Sequence, residues 1–179
     1  GDGSQLLSGL LFAYSSCAKE KVTITVKGLK SRPYIDMTLG VLAHFGKTIK
    51  NNNYKEFVVD PLAFEQQDEV TINVDGDWSS AAYFLVAGAI AGDITVSNLQ
   101  IGSHQADMTV IEVLKNAGAE VTQTENSFSV KRSRLNAFEL DATDCPDLFP
   151  IAAILASCCN GESQIRGVHR LFHKESNRV

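Results

Sequence analysis

Residues 77–97 read DWSSAAYFLVAGAIAGDITVS, an apolar run that stops at Gly92 and is followed by alternating apolar and polar residues. The run over 79–91 has the length and the continuous apolar character of a buried helix. Alternation over 94–97 is typical of a strand, and glycine is a frequent break between two elements. This stretch therefore predicts a helix packed inside the molecule and followed at once by a strand.

The same order of elements recurs on both sides of this stretch. Further helices are predicted over 4–16, 35–45, 107–117 and 147–159. Predicted strands cover 22–26, 48–51, 57–59, 70–74, 119–123, 127–131 and 163–166. The chain thus holds about two and a half copies of a helix-strand-helix-strand-strand unit, which predicts an α/β (α+β) fold with internal helices.

Two stretches interrupt the repeat. Residues 60–69 are mostly polar and predict a surface loop, and Asp75-Gly76-Asp77 predicts a turn. We place a domain boundary at this turn, so that residues 1–75 belong to one domain and residues 76–179 to a second.

Composition narrows the classes of function. The formal net charge of −5 does not favour nucleic acid or an acidic membrane as a partner. The longest apolar run, 81–91, is too short to cross a bilayer. Four cysteines without a Cys-x-x-Cys pair predict reduced structural thiols and a cytoplasmic protein. The chain has neither a zinc-ligand spacing nor a glycine-rich nucleotide loop, so we expect no metal and no cofactor.

Two segments of the first domain predict anion binding. Ser4-Gln5 stands at a helix start behind glycines, where free N–H groups and the helix dipole favour phosphate or carboxylate. The segment from Lys30 to Tyr34 adds basic residues, the hydroxyl of Ser31 and a proline-stiffened backbone. Each has a simpler interpretation, a serine N-cap for the first and a solvated basic loop for the second.

The second domain carries a carboxylate and a charged cluster. Asp147 follows Pro146 at a helix start, where the dipole favours its ionised form. Lys174 and Arg178 are spaced i and i+4, so one helical turn places both cations on one face, with Glu175 beside them. The alternatives are an N-cap aspartate and a solvated helix face.

Taken in order, these motifs resemble the 5-enolpyruvylshikimate-3-phosphate (EPSP) synthase family of enolpyruvyl transferases, and the resemblance covers the whole chain. The matching segments are SQLL from residue 4, SRPYIDMTL from residue 31, GDWSSAAYF from residue 76, Gln105-x-Asp107, Pro146-Asp147 and KESNR from residue 174.

The resemblance implies an enzyme of two domains, each built from three copies of the repeat, which closes over its substrates. Residues 1–75 would belong to the domain that binds shikimate 3-phosphate and residues 76–179 to the other. The reaction would transfer the enolpyruvyl group of phosphoenolpyruvate to the 5-hydroxyl of shikimate 3-phosphate.

The resemblance also implies roles for single residues. Those that would bind substrate are Ser4, Gln5, Ser31, Tyr34, Arg170 and Arg178. Asp147 would take the proton of the attacking hydroxyl, Lys174 would stabilise developing charge, and Glu175 would protonate the methylene carbon. Arg178 is suited to a bidentate grip on carboxylate or phosphate.

This chain departs from the family pattern at Gly3, where a second serine is common, and at Asn177, where aspartate is usual. These departures leave open a non-catalytic remnant of the same fold. A second alternative is a transferase acting on UDP-N-acetylglucosamine, which shares the fold and the enolpyruvyl donor. We expect the chain to be a central portion of a longer, monomeric enzyme and to be inactive alone, because the family draws further cationic ligands from other segments.

Overall fold

The computed structural model describes residues 4–173, apart from the side chain of His173. The chain divides into two compact units, residues 1–73 and residues 74–179. The division falls two residues before the boundary expected from the sequence.

The first unit contains one copy of the repeat. Its elements are α1 (Gln5–Cys17), β1 (Val22–Thr25), α2 (Arg32–His44), β2 (Lys50–Asn52) and β3 (Glu56–Val59), followed by a 3-10 turn at Pro61–Ala63. The three strands form an antiparallel sheet in the order β1-β3-β2. One face of each helix packs on this sheet, and the fully buried residues include Leu11, Ile35 and Phe57.

The second unit repeats this arrangement and extends it. Its elements are α3 (Trp78–Ala91), β4 (Asp93–Ser97), a 3-10 turn at Ala106–Thr109, α4 (Val110–Asn116), β5 (Glu120–Gln123), β6 (Ser127–Lys131), β7 (Glu139–Asp141), a 3-10 turn at Pro146–Leu148, α5 (Phe149–Ser157), β8 (Gln164–Arg166) and a 3-10 helix at Val168–His173. The sheet order is β4-β6-β5, which is again first, third, second, and β7 pairs with β8 in parallel. The predicted repeat is confirmed.

The stretch at 77–97 forms the centre of the second unit. Asp77 caps α3 by accepting hydrogen bonds from the backbone N–H groups of Ser79 and Ser80 at 2.9 and 3.2 Å. Trp78 is completely buried and meets Phe128 of β6 edge to face at 5.1 Å. The helix therefore begins one residue earlier than predicted and carries its largest side chain into the core.

The prediction of internal helices holds for one face of each helix. In α3 the buried face includes Leu85 and Val86, whereas Phe84 is 59% exposed on the other side. Leu6 of α1 and Ile154 of α5 are also exposed.

The strand predicted over 70–74 is wrong. This segment has alternating residues, but it pairs with neither edge of a sheet. Two of its carbonyl groups instead accept side-chain bonds, Thr71 from His44 Nε2 at 2.8 Å and Val74 from Asn98 at 3.3 Å. Alternation reports only that a segment suits a half-buried sheet surface, and the strand forms only where a partner is present.

The start of the second unit is fastened by the Gln105 side chain. Its Nε2 donates to Asp75 Oδ2 at 3.1 Å and to the carbonyl of Gly76 at 2.9 Å. Its Oε1 accepts from the Trp78 N–H at 3.0 Å. The turn predicted at residues 75–77 is thereby held against the loop before α4.

Candidate active site

In the first unit, the two helices run side by side in the same direction. The Ser8 hydroxyl, near the start of α1, lies 2.8 Å from the Thr38 hydroxyl at the middle of α2. Beyond the end of α2, the Lys47 ammonium donates to the Ser15 carbonyl in the last turn of α1 at 2.7 Å. Both pairs follow the same order along the two helices, which requires a parallel arrangement. The starts of α1 and α2 therefore lie at one end of the unit, where two positive dipole ends come together.

The two predicted serines occupy this end. Ser4 and Ser31 are the N-cap residues of α1 and α2, and their exposed fractions are only 8% and 5%. Neither hydroxyl forms the usual capping bond to the N–H groups of its own helix. Ser4 thus occupies the N-cap position, but its hydroxyl does not make the capping bond that an ordinary serine N-cap would make.

Ser31 also has an unusual backbone. Its φ of 55° and ψ of 48° lie in the left-handed region, which residues other than glycine rarely adopt. Such strain persists where the surrounding structure enforces it, often at binding sites. The next turn begins at once with Arg32-Pro33, and proline suits the first turn of a helix because it needs no hydrogen-bond acceptor there.

Gln5 and Tyr34 lie in the first turns of the same two helices. Gln5 is exposed, and Tyr34 is half-buried. The Tyr34 carbonyl accepts from the Thr38 hydroxyl at 2.9 Å. Since that hydroxyl has a single proton, the Ser8 hydroxyl is the donor in the pair that joins the helices. All four residues predicted for the first domain therefore stand at one end of its unit.

Ser8 and Thr38 were not predicted from the sequence. Each follows a predicted site residue by four positions, Ser8 after Ser4 and Thr38 after Tyr34. A spacing of four places residues on one helix face, so a second polar residue on each site-facing stripe was the available signal.

In the second unit, Asp147 lies in the 3-10 turn that leads directly into α5. It is half-buried between the buried residues Pro146 and Leu148. Its carboxylate thus precedes the α-helix by two residues instead of capping it. Arg170 lies in the 3-10 helix near the end of the described chain and is 8% exposed, which is unusual for a cation. The predicted residues Lys174, Glu175 and Arg178 lie outside the described residues.

A buried carboxylate is a second feature of this unit. Asp107 is 1% exposed and accepts a hydrogen bond from the Ser79 hydroxyl at the start of α3.

The Cys145 thiol lies near this carboxylate. Burial, and then the nearby carboxylates of Asp107, Asp144 and Asp141, raise the pKa of the Cys145 thiol to about 12. A thiol with such a pKa stays protonated at neutral pH, so it is a poor nucleophile and metal ligand.

Over residues 4–173, no three histidine, cysteine, aspartate or glutamate side chains are grouped as metal ligands. Within the same range, no helix is both long enough and apolar enough to span a membrane.

Solved structures of enolpyruvyl transferases share this fold. The EPSP synthase of Acinetobacter baumannii superimposes with a TM-score of 0.71 and 25% identity, covering 99% of this chain and 41% of that one. The enolpyruvyl transferase NikO of Streptomyces tendae gives a TM-score of 0.59 at 17% identity, over 89% of this chain and 39% of its own. At that identity the second likeness concerns the fold alone.

Sequence comparisons show the family to which the chain belongs. The family model for EPSP synthase (3-phosphoshikimate 1-carboxyvinyltransferase) matches residues 3–179, and the chain belongs to this family. A 3-phosphoshikimate 1-carboxyvinyltransferase of Clostridium botulinum (strain Alaska E43 / Type E3) is 36% identical over 177 residues. One of Clostridium perfringens (strain ATCC 13124) is 37% identical over the same length. Each comparison covers 98% of this chain, which spans about 40% of the length of these relatives.

Proposed function

We propose that the full-length product of the gene carrying this sequence transfers the enolpyruvyl group of phosphoenolpyruvate to the 5-hydroxyl of shikimate 3-phosphate, releasing phosphate. Family membership supports the reaction class. The observation that carries the proposal is the meeting of two helix starts at one end of the first unit, each with a buried serine that does not cap its own helix.

This end of the first unit binds the phosphate of the acceptor. The positive dipole ends of two parallel helices attract an anion to this end of the unit. The hydroxyls of Ser4 and Ser31 donate to phosphate oxygens, Gln5 contacts both substrates, and Tyr34 lies against the ring. The proposal uses the parallel order of the two helices, which follows from the pairs Ser8–Thr38 and Ser15–Lys47.

Residues of the second unit carry the proton transfers. Asp147 takes the proton of the 5-hydroxyl as the hydroxyl oxygen bonds to the central carbon of phosphoenolpyruvate. Glu175 delivers a proton to the methylene carbon, while Lys174 stabilises the developing charge. Arg178 and Arg170 hold the anionic groups of the substrates. Glu175, left as a carboxylate, then takes a proton back from the methyl group as phosphate departs, which converts the tetrahedral intermediate into the enol ether.

We further propose that this protein is a cytoplasmic monomer. All four cysteines are free, as expected in a reducing compartment.

Phosphate release from shikimate 3-phosphate plus phosphoenolpyruvate tests the reaction. We expect turnover that requires both substrates and is absent with UDP-N-acetylglucosamine as the acceptor. Turnover with the nucleotide sugar, or none with either acceptor, would overturn the proposal. Because the chain spans about 40% of its relatives' length, we expect the 179-residue polypeptide alone to give no turnover.

Replacement of Asp147 by asparagine tests the assignment of the base. The variant Asp147→Asn keeps the size of the side chain but cannot accept the proton, so we expect kcat to fall by about 10²- to 10⁴-fold. Asp93→Asn in β4, where the aspartate is exposed, is the matched control and leaves kcat unchanged. An Asp147→Asn enzyme of ordinary kcat would assign the base to another residue.

A further inference from the structure

Tyr54 lies outside the predicted site, but its side chain contacts the start of α2, which carries predicted site residues. Tyr54 is the second residue of the loop between β2 and β3, where Asn53 and Tyr54 have φ values of 52° and 58°. The Lys55 N–H bonds the Asn52 carbonyl at 3.1 Å and closes the loop. Both positions need the left-handed conformation, which glycine and asparagine tolerate well and tyrosine tolerates poorly. The loop alone therefore gives no reason for a tyrosine here.

The side chain of Tyr54 supplies the reason. Its phenol donates to both carboxylate oxygens of Asp36, at 2.8 and 3.0 Å. The Arg32 guanidinium lies over its ring, 5.1 Å from the centroid. Arg32 and Asp36 stand four residues apart on α2, so one aromatic side chain contacts two points that lie one turn apart at the start of that helix.

The turn held in this way is the one that carries the acceptor-binding residues. Ser31 directly precedes Arg32, and Tyr34 lies between Arg32 and Asp36 in the chain. The Tyr34 N–H also bonds the Ser31 carbonyl at 3.2 Å, so these residues move together. A left-handed serine has lower-energy conformations available, and contacts on both sides are needed to keep it in place. The contact of Thr38 with α1 secures α2 from one side, and Tyr54 secures it from the hairpin.

We propose that Tyr54 is a positioning residue that holds the first turn of α2, and with it Ser31 and Tyr34, in the conformation that binds the phosphate of the acceptor. This inference rests on the proposed function. Tyr54 itself does not touch the substrate, and its effect passes through Asp36 and Arg32. Losing this contact costs affinity for shikimate 3-phosphate while the proton-transfer residues of the second unit are unaffected.

The test uses the full-length gene product and measures KM separately for each substrate. For Tyr54→Phe, which keeps the ring but loses both hydrogen bonds, we expect KM for shikimate 3-phosphate to rise about tenfold. KM for phosphoenolpyruvate and kcat change less than about twofold. Tyr83→Phe, at an exposed tyrosine of α3, is the matched control and changes none of these constants.

Two further variants separate positioning from folding. Tyr54→Gly suits the left-handed backbone and preserves the loop, yet it removes the whole contact, so KM for shikimate 3-phosphate rises at least as far as in Tyr54→Phe. Asp36→Leu, which has no acceptor oxygen, alone mimics Tyr54→Phe, and the double variant adds little to either, because both remove the same contact.

The outcomes distinguish this inference from the proposed function. A wild-type protein that neither binds nor turns over shikimate 3-phosphate overturns both. A wild-type protein that does so, with Tyr54→Phe and Tyr54→Gly of unchanged KM, overturns the positioning role alone. A lower thermal midpoint with unchanged KM also overturns the positioning role, since Tyr54 would then stabilise the fold without affecting the binding of the acceptor.

Discussion

Lys47 Nζ donates a hydrogen bond of 2.7 Å to the carbonyl oxygen of Ser15, which lies in the last turn of α1. Carbonyl groups in the last turn of a helix have no partner within the helix, and the negative end of the dipole attracts a cation there. A residue that follows α2 therefore caps α1 and stabilises the parallel packing of the two helices.

We expect Lys47→Met to lower the free energy of unfolding by about 1 kcal/mol, because methionine keeps much of the apolar stem but neither bonds the carbonyl nor balances the dipole. Thermal unfolding of the purified protein measures this as a midpoint about 2–4 °C lower. Lys50→Met in β2, an exposed lysine, is the control. Equal midpoints for the two variants would show that the contact contributes no stability.

Replacing three helical glycines by alanine should change the free energy of unfolding in opposite directions. A β-carbon at Gly88 of α3 would lie 2.6 Å from the Val130 carbonyl oxygen of β6, whereas at Gly9 and Gly40 it would meet nothing within 4 Å. Gly88→Ala should destabilise the protein by about 1–3 kcal/mol, because the helix must move away from the sheet. Gly9→Ala and Gly40→Ala should stabilise it by about 0.5–1 kcal/mol, since alanine favours helices. Chemical denaturation of the three variants checks this, and a stabilising Gly88→Ala would contradict the close packing of α3 on β6.

The repeat could be predicted because each element carries its own signal in the chain. The helix at 79–91 is a long apolar run and ends at a glycine, and the structure gives α3 at Trp78–Ala91. β7 was missed because three residues, Glu139–Asp141, are too few to show alternation, and its partner β8 lies more than twenty residues away. Strand formation there depends on a distant partner that no local pattern reports.

Individual candidate residues could be named from the sequence, but their arrangement could not. The motifs singled out Ser4 and Ser31, yet the parallel order of their helices depends on the Ser8–Thr38 contact, whose partners are thirty positions apart. The role of Tyr54 was equally hidden, because its left-handed backbone and its bond to Asp36 exist only in the folded chain.

The cap of α3 makes stability depend on pH at the acidic end. The hydrogen bond from the Ser80 hydroxyl, 2.6 Å from the carboxylate, and those from the N–H groups of Ser80 and Ser79 hold the pKa of Asp77 below its usual value. A lowered pKa in the folded state adds stability above the unfolded value of about 3.9, and this stability is lost as pH falls through the folded pKa.

We therefore expect Asp77→Asn to be less stable than wild type at pH 7, with a difference that shrinks below about pH 4 as the wild-type carboxylate protonates. Unfolding midpoints in denaturant at a series of pH values measure the difference. Asp68→Asn, in an exposed loop, is the control. A difference that stays constant from pH 7 to pH 3 would show that ionisation of Asp77 has no part in the cap.

Titration at alkaline pH tests the contact between Tyr54 and Asp36. The hydrogen bond to Asp36, followed by burial and by the charge of that carboxylate, raises the pKa of Tyr54 above its ordinary value of 10.0. The contact thus contributes fully below pH 10 and is lost as pH rises through the folded pKa. We expect ultraviolet titration to show one late phenol that disappears in Tyr54→Phe and titrates earlier in Asp36→Asn. A Tyr54 that titrates together with the exposed tyrosines would mean that the bond to Asp36 is absent in solution.

The strained backbone of Ser31 predicts that stability and binding change in opposite directions. Glycine adopts a φ of 55° at little cost, so Ser31→Gly should keep or raise the unfolding midpoint, whereas Ser31→Ala keeps the strain. Both variants lose the hydroxyl proposed to bind phosphate, and KM for shikimate 3-phosphate should rise about tenfold in each. Asn98→Gly relieves a similar φ of 62° in the second unit and should leave KM unchanged. Because a general loosening of the fold would lower the midpoint as it raised KM, a stable Ser31→Gly enzyme with weakened binding ties the loss to the hydroxyl; an unchanged KM would remove Ser31 from the site.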